Sequence, residues 1–284
     1  MLTAHQIDQV VAAALVEDAP WGDATSAAII PAAATATARL VPREAGVLSG
    51  GEVFAAAMRL TDSAIVVDLA VSDGTAFRPG DALAEVTGPA RSVLQAERVA
   101  LNFVQRMSGI ATLTARYVVE TAGTRARIVD TRKTTPGLRA FERHAVISGG
   151  GRNHRFSLSD AVLAKDNHLA LLTAGGRSLT EVLREVRSSL GHTMRFEVEV
   201  DRVDQIAPVL AAGVDTIMLD NFALPELREA VALIGGRAIV EASGGVNLET
   251  VRAIAETGVD LISVGALTHS ARAIDLGLDV VLAP

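Results

Sequence analysis

Six short apolar segments recur in the second half of the chain, and their spacing constrains the fold more than any other sequence feature. In order they are Ile128–Val129, Val162–Ala164, Phe196–Val200, Thr216–Leu219, Ala238–Val240 and Leu261–Val264. Stretches with the amphipathic period of a helix separate them. The last four segments end at Glu199, Asp220, Ser243 and Gly265, which are 21, 23 and 22 positions apart. One strand and one helix fill that length, so the pattern predicts parallel α/β structure, as a barrel or a doubly wound sheet.

Each apolar segment is followed by a polar residue or a glycine. These residues are Asp130, Lys165, Glu199, Asp220, Ser243 and Gly265. Catalytic groups of a parallel barrel collect at the carboxyl ends of its strands, which is where these residues fall. Glu197 and Asp201 flank Glu199, and alternation along a strand places all three carboxylates on one face. The sequence therefore predicts a site at this edge, where Glu199 and Asp220 are candidates to hold Mg²⁺ or the hydroxyls of a ribose, but it does not show which of the three acids reaches the ligand.

The first half of the chain has a different pattern and predicts a separate domain. Its predicted elements are helices over 5–17, 51–60 and 92–120, the last interrupted near Ser108-Gly109, and strands over Thr35–Val41, Ile65–Val71 and Ala82–Thr87. We expect this domain to comprise residues 1–110, with the C-terminal segment 266–284 packing on it. The second domain, which carries the site, is expected over residues 111–265.

Charge and cysteine content exclude several classes of protein. The 284 residues include no cysteine, which rules out disulfides, thiolate metal ligands and a cysteine nucleophile. A formal net charge of -7 argues against bulk nucleic-acid binding. No apolar run approaches the ~20 residues that span a bilayer, and the N-terminus lacks the pattern of a signal peptide. We therefore expect a cytoplasmic protein that binds neither nucleic acid nor membrane.

A basic stretch lies within this acidic chain, at residues 125–168. It has nine basic and four acidic residues, hence a local net charge of +5, and it holds three of the six histidines. It also contains both lysines of the chain, Lys133 and Lys165, whereas all other Lys or Arg positions are arginine. Cations on loops that follow strands indicate a small polyanionic ligand, and the alternative is a solvated basic face. A lysine that arginine has not replaced is a candidate for a contact that needs a compact charge.

Three glycine-containing loops offer backbone N–H groups to an anion. The first, at residues 148–151, directly precedes Asn153-His154-Arg155. The other two, at residues 243–247 and 264–268, each lie between a predicted strand and a predicted helix. Paired loops of this kind late in a barrel suit a phosphate monoester. The alternative for all three is a tight turn that requires glycine.

Seven motifs, in order along the chain, resemble the quinolinate phosphoribosyltransferase family. They are NFVQRMSGIAT (102–112), DTRKTTPG (130–137), GGGRNHR (149–155), KDNH (165–168), LDNF (219–222), EASGG (241–245) and SVGALTH (263–269). The resemblance covers essentially the whole chain, and DTRKT together with NHR is its most specific part. It implies an α/β fold with an N-terminal α/β sandwich domain and an incomplete, TIM-like α/β barrel.

The resemblance also implies an activity. Members of this family transfer the phosphoribosyl group of phosphoribosyl pyrophosphate (PRPP) to quinolinate. The products are nicotinate mononucleotide, pyrophosphate and CO₂, in de novo NAD biosynthesis. The family uses Mg²⁺ and works as a homodimer, in which the arginine that matches Arg106 reaches the neighbouring subunit's site.

The family's site residues carry over to this chain through the same motifs. The residues implied for the two carboxylates of quinolinate are Arg106, Arg132, His154 and Arg155. Those implied for the 5′-phosphate of PRPP are Ser243, Gly244, Gly245 and Gly265, with His269 completing the substrate-binding set. Those implied for the pyrophosphate and for catalysis are Lys133, Lys165, Glu199 and Asp220. The two carboxylates of this last group are expected to help hold Mg²⁺, directly or through water.

The sequence also suggests two alternatives, of which a panel of substrates tests the first and the position of the lysines rejects the second. A related phosphoribosyltransferase that does not decarboxylate, or the similar protein associated with molybdenum transport, would share most of these motifs. The set of Arg132, His154 and Arg155 favours a dicarboxylate substrate instead. Residues 71–81 resemble the hairpin of a biotinyl or lipoyl carrier, but a carrier needs an acceptor lysine there and no lysine precedes Lys133.

Overall fold

A computed structural model describes residues 2–281 and divides them into two units. The first comprises residues 2–115, 134–150 and 267–281, and the second comprises residues 116–133 and 151–266. This division differs from the predicted boundaries in that residues 111–115 and 134–150 lie in the first unit and residue 266 lies in the second. Phe141 of the 134–150 segment stacks on Phe103 with ring centroids 5.7 Å apart, an attachment that local periodicity does not reveal. Residues 1 and 282–284 of the predicted domain ranges lie outside the described residues.

The chain runs first through nine elements. They are α1 (Ala4–Asp18), α2 (Ala24–Ile29), β1 (Thr35–Pro42), β2 (Gly46–Val47), α3 (Gly51–Thr61), β3 (Val66–Leu69), β4 (Ala76–Phe77), β5 (Ala84–Pro89) and α4 (Ala90–Glu120). Local sequence explains the start of α1, where Thr3 and Gln6 form a reciprocal capping box. The strand that follows α3 is shorter than the predicted Ile65–Val71.

The remaining elements alternate between strand and helix. They are β6 (Arg127–Val129), α5 (Arg139–Ser148), β7 (Val162–Ala164), α6 (Asp166–Leu172), α7 (Leu179–Ser189), β8 (Phe196–Val200), a 3₁₀ turn (Val203–Gln205), α8 (Ile206–Ala211), β9 (Thr216–Asp220), α9 (Leu224–Ile234), β10 (Ile239–Ser243), α10 (Val251–Ala255), β11 (Leu261–Ser263), α11 (Ala266–His269) and β12 (Leu276–Val281). All six apolar segments of the second half thus form strands.

The first unit is built on a four-stranded antiparallel sheet in the order β12-β1-β5-β3. Strand β12 pairs with β1 from Thr37 opposite Val281 to Pro42 opposite Leu276, so the C-terminal segment is part of this sheet. Helix α3 packs on α1 and buries Val53, Phe54 and other apolar side chains. Hydrophobic burial on one face of the helices and of the sheet gives the α/β sandwich.

The predicted interruption of the long helix near Ser108-Gly109 is wrong. Helix α4 continues through both residues, although glycine is a poor helix former. The reason is packing: a methyl group at Gly109 would lie 2.0 Å from the carbonyl oxygen of Arg272. Gly109 therefore allows the backbone around Arg272 to approach the helix, and it does not mark a helix end.

The second unit is built on a six-stranded parallel sheet in the order β6-β11-β10-β9-β8-β7. Strands β7 to β11 follow one another in chain order across the sheet, and β6 joins beside β11. A doubly wound sheet would reverse this order in its middle, whereas a barrel keeps it. Within the described chain, β6 and β7 share no hydrogen bonds, so the ring is open at that point. The structure confirms the predicted fold class, an α/β sandwich with an incomplete α/β barrel.

Strand β8 shows how the alternation of residues sorts apolar from acidic side chains. Phe196, Val198 and Val200 are buried on one face, which leaves Glu197 and Glu199 on the other. Across residues 2–281, no helix combines the length and the apolar character needed to cross a membrane.

Candidate active site

A cavity of about 450 Å³ lies at the carboxyl edge of the six-stranded sheet. Eight residues predicted for the site line it: Arg132, Lys133, His154, Arg155, Lys165, Glu199, Asp220 and Ser243. Thr131, Leu163, Met218, Glu241 and Ser263 complete the lining. Five of these side chains are basic and three are acidic, so cationic and anionic groups share one small space. The parallel fold produces this convergence because all six strands end at the same edge.

Asp130 positions the His154 segment beside the end of β6. The Asp130 side chain is fully buried, and its Oδ1 accepts a hydrogen bond of 2.7 Å from the backbone N–H of His154. The backbone of Arg152 bonds to Ile128 and to Asp130 on either side, so this segment runs alongside the strand. The buried carboxylate therefore fixes where His154 and Arg155 enter the cavity.

Arg132 and Arg155 bring two guanidinium groups close together on the cavity wall. Burial, followed by the positive charge of Arg132, lowers the pKa of Arg155. The Nη1 of Arg155 donates to the carbonyl oxygen of Ala161 at 3.0 Å, which restrains the side chain. Two like charges held near each other repel, and an anion with two carboxylates relieves that repulsion through bidentate contacts.

Lys165 and Glu199 form an ion pair at the ends of adjacent strands. Lys165 follows β7 directly and Glu199 lies in β8, and Lys165 Nζ donates to Glu199 Oε2. The pairing of β7 with β8 brings these two positions together. Because the lysine is about half exposed, the pair orients two charges at the mouth of the cavity and adds little stability.

Asp220 at the end of β9 is oriented by the residue that follows it. Asn221 donates from Nδ2 to Asp220 Oδ2 at 2.7 Å, and its backbone N–H donates to the carbonyl of Ser243 at 2.9 Å. Asn221 has a φ of 58°, in the left-handed region that asparagine tolerates best among non-glycine residues. Gly244 must be glycine here, since its φ is 87° and a methyl group would lie 2.1 Å from Asn221 Oδ1.

His154 lies between two buried carboxylates. Its Nε2 is 3.2 Å from Glu197 Oε2 and 3.5 Å from Glu241 Oε2. Burial by itself lowers the pKa of His154, but the hydrogen bonds and charges of Glu197 and Glu241 outweigh it and raise the pKa to about 10. Burial, opposed by His154 and assisted by the charge of Glu241, raises the pKa of Glu197. The two carboxylates therefore favour the protonated form of the His154 ring.

This cluster also has the composition of a metal site, since ligand atoms of His154, Glu197 and Glu241 lie within 4.8 Å of one another. The three groups also satisfy one another as an ion pair, with Nε2 of His154 3.2 Å from Glu197 Oε2 and 3.5 Å from Glu241 Oε2. We interpret the cluster as an ion pair. Glu199 and Asp220 suit Mg²⁺ better, because both are carboxylates on the cavity surface and Mg²⁺ uses one or two carboxylates together with substrate phosphates.

Five predicted site residues do not line this cavity. Gly244 and Gly245 follow Ser243 directly, with φ values of 87° and 62°, and Gly265 follows the end of β11. Arg106 and His269 belong to the first unit. Arg106 donates to the carbonyl of Ala271 at 3.0 Å and to the buried carboxylate of Glu142 at 2.8 Å, and His269 Nδ1 lies 2.7 Å from Ser270 Oγ.

The sequence prediction did not assign a role to Glu197 or Glu241. Alternation predicted that Glu197, Glu199 and Asp201 share a face but not how deep each one lies. The structure separates them: Glu197 is buried against His154, Glu199 lines the cavity, and Asp201 is exposed beside it. The available signal was a carboxylate flanked by apolar residues within each of two strands, β8 and β10.

Comparisons with known proteins agree with this architecture. Two family models match, "Quinolinate phosphoribosyl transferase, N-terminal domain" over residues 23–108 and the C-terminal domain of the same family over residues 110–279. Nicotinate-nucleotide pyrophosphorylase (carboxylating) of Mycobacterium leprae is 44% identical over 276 residues, covering 94% of each chain.

Two further relatives extend the comparison to plants and to solved structures. Quinolinate phosphoribosyltransferase (decarboxylating) 1b of Nicotiana tabacum is 40% identical and covers 97% of this chain and 83% of its own. The crystal structure of NadC from Streptococcus pyogenes superposes with a TM-score of 0.94 at 40% identity, covering 100% of this chain and 99% of the other. On the fold, the convergent site and these matches, the chain belongs to the quinolinate phosphoribosyltransferase family.

Proposed function

We propose that this protein transfers the phosphoribosyl group of PRPP to quinolinate and decarboxylates the adduct, giving nicotinate mononucleotide, pyrophosphate and CO₂ for NAD biosynthesis. The observation that carries the proposal is the cavity at the carboxyl edge of the parallel sheet. It combines paired guanidinium groups, a cationic histidine, both lysines of the chain and two surface carboxylates. Relatives along the whole chain are named for this reaction.

Quinolinate fits the basic side of the cavity. Its two adjacent carboxylates match the planar donors of Arg132 and Arg155 and the imidazolium of His154. A pyridine with one carboxylate would leave part of this positive charge without a partner. The repulsion between Arg132 and Arg155 therefore favours the dicarboxylate over nicotinate.

PRPP fits the remaining groups. The lysines Lys133 and Lys165 suit the pyrophosphate, because a compact ammonium approaches several oxygens of one anion. The loops at Ser243-Gly244-Gly245 and at Gly265 suit the 5′-phosphate through their backbone N–H groups, and Gly244 and Gly245 have positive φ.

Mg²⁺ is the cofactor we propose for this site, held by Glu199 and Asp220 directly or through water. The fit rests on the donor set, since both are carboxylates on the same cavity and Asn221 orients one of them. When bound, Mg²⁺ would neutralise charge on the pyrophosphate.

The reaction needs positioning and charge stabilisation from the protein more than covalent catalysis. The ring nitrogen of quinolinate forms a bond to C1 of the ribose as the bond from C1 to pyrophosphate breaks. Glu199 and Asp220 stabilise the oxocarbenium-like centre, and Lys133 and Lys165 stabilise the departing pyrophosphate. The pyridinium then accepts the electron pair left when the bond from C2 to the carboxylate breaks. CO₂ leaves, and a proton takes its place on C2.

The assembly we propose is a cytoplasmic homodimer in which Arg106 serves the neighbouring subunit's site. The proposal for Arg106 is supported by the motif at residues 102–112, which resembles the corresponding motif of the family. His269 is proposed as a further substrate-binding residue on the same basis.

An activity assay with quinolinate labelled in its C2 carboxylate tests the proposal. We expect labelled CO₂ and nicotinate mononucleotide to form in equal amounts, and only when PRPP and Mg²⁺ are both present. Nicotinate in place of quinolinate is expected to give no nucleotide. Turnover of nicotinate, or no release of CO₂ from quinolinate, would overturn the assignment and favour the non-decarboxylating alternative.

A further inference from the structure

Two buried carboxylates contact His154 at the wall of the cavity, and the proposed reaction has not yet used them. Glu197 in β8 and Glu241 in β10 both direct a carboxylate oxygen at Nε2 of His154, at 3.2 and 3.5 Å. Glu241 is 1% exposed and Glu197 is 7% exposed. Two carboxylates around one imidazole exceed what a single ion pair requires.

Burying two carboxylates next to each other is costly unless a cation lies between them. Among the described residues, Glu197 Oε1 and Glu241 Oε1 are buried and have no hydrogen-bond donor. The contact to His154 is therefore the cationic contact that the two carboxylates share. Loss of the proton from Nε2 would remove that cationic contact from both at once, which keeps His154 protonated.

Three other charged groups lie near His154, one carboxylate at its backbone and two guanidinium groups on the same cavity. Asp130, after β6, accepts the backbone N–H of His154 and fixes its main chain. Arg132 and Arg155 line the same cavity, and the charge of Glu197 acts on Arg155. Asp130 thus fixes the backbone of His154, and Glu197 and Glu241 contact Nε2 of its ring. Each of the three carboxylates comes from a different strand or strand end.

We propose that Glu241, together with Glu197, is a positioning residue that holds the His154 ring in one orientation as an imidazolium, so that His154 binds a carboxylate of quinolinate as a cation. The glutamates act through His154 and do not touch the substrate. This inference rests on the proposed function for the identity of the substrate, whereas the state of the ring is a property of the protein alone.

Glu241→Gln is the informative variant, because it keeps the side-chain volume and removes the charge. We expect KM for quinolinate to rise by about tenfold or more, with KM for PRPP and kcat changed much less, since a charge-assisted contact to one substrate is lost. Glu241→Asp, which keeps the charge, should recover part of the affinity. Glu229→Gln, on an exposed face of α9, is the matched control and should behave as wild type.

The protonation state of the His154 ring is measured by ¹⁵N NMR of the ligand-free enzyme. The signals of His154 are assigned as those missing from the spectrum of His154→Gln. At pH 8 we expect the wild-type ring to carry protons on both nitrogens, and we expect the ring of Glu241→Gln to lose one of them at a lower pH than the wild-type ring does. A neutral His154 in the wild type, or equal KM changes for both substrates in Glu241→Gln, would overturn the proposal. Failure of the wild type to turn over quinolinate would overturn the proposed function alone, because the NMR result does not depend on it.

Discussion

Lys133 shows at the scale of one residue why this chain keeps two lysines among its many arginines. It lines the cavity together with Arg132 and Arg155, so the local space already contains two guanidinium groups. A third guanidinium group, from an arginine at position 133, would have a different donor geometry and more bulk than the ammonium of lysine. We propose that the retained lysine contacts the pyrophosphate in a geometry that an arginine cannot reproduce.

We therefore predict that Lys133→Arg folds normally but loses kcat/KM on the order of a hundredfold, because a small misplacement of a charge at the reacting centre is costly. Steady-state kinetics with both substrates measure the loss, and thermal unfolding verifies the fold. Wild-type kinetics in this variant would show that the lysine has no special role.

His154 makes a second residue-scale prediction, on stability and pH. Its pKa is raised from 6.5 to about 10 in the folded protein, so the native state binds more protons than the unfolded state between these values. Its contribution to the free energy of unfolding is fully present below about pH 6.5 and is lost as the pH rises through 10.

The measurement is the free energy of unfolding of wild type and of His154→Gln, from denaturant titrations between pH 7 and pH 10. We expect the difference between them to fall with rising pH by at most about 1.4 kcal/mol per pH unit. A difference that is constant or grows over this range contradicts a raised pKa for His154.

At the scale of elements, the strands of the barrel were predictable because each one is short, apolar and bounded by polar residues at a regular distance. All six predicted segments are strands of one parallel sheet. The choice between barrel and doubly wound sheet was not predictable from spacing, since both architectures repeat the same strand-helix unit. Pairing of β6 with β11 decides it, and that contact spans most of the second unit's sequence.

Gly109 illustrates an element that the sequence alone mispredicts. Glycine is normally a helix breaker, yet here it lies inside α4 because the backbone of Arg272 passes close by. A residue 163 positions away therefore decides a local feature, which no window of neighbouring sequence contains.

Gly109→Ala should destabilise the protein by roughly 1–3 kcal/mol, even though alanine has the higher helix propensity, because overpacking outweighs propensity. Urea unfolding measures the change. Gly191→Ala is the control, since nothing lies within 4 Å of a methyl group there and its φ is ordinary. A Gly109→Ala protein as stable as wild type would contradict the packing explanation.

The buried carboxylates mark the limit of prediction for the site. The sequence motifs identified four cationic residues of the site, Arg132, Lys133, His154 and Lys165. They could be identified because a polyanionic substrate requires cations, and these cations are grouped in short motifs. Glu197 and Glu241 lie on strands that neighbour each other only through β9, so their meeting at His154 follows from the sheet order. Burial depth is a tertiary property and leaves no trace in the alternation of residues.

At the scale of the whole molecule, the two units divide the proposed site residues between them. The cavity belongs entirely to the second unit, whereas Arg106 lies in the first, bonded to Glu142 and to the carbonyl of Ala271. The family resemblance implies that Arg106 acts in the neighbouring subunit's site. The bonds within the chain are compatible with a guanidinium that is held in place for such a role, because arginine has five N–H donors.

Mixing two inactive variants tests this sharing. Arg106→Ala and Lys133→Ala subunits, unfolded together and refolded, should regain about a quarter of wild-type activity. Half of randomly assembled dimers are mixed, and each mixed dimer has one intact site. Arg106→Ala and Lys133→Ala refolded separately are the controls. No recovery in the mixture would place Arg106 in its own subunit's structure alone.

The central claim is that the carboxyl edge of the six-stranded sheet binds the dicarboxylate substrate, and a crystal structure with quinolinate soaked in tests it most directly. We predict that the ligand occupies the cavity with its carboxylates on Arg132, Arg155 and the His154 ring, and that the ring remains against Glu197 and Glu241. Quinolinate bound elsewhere, or bound in the cavity with its carboxylates turned away from these three residues, would contradict the account.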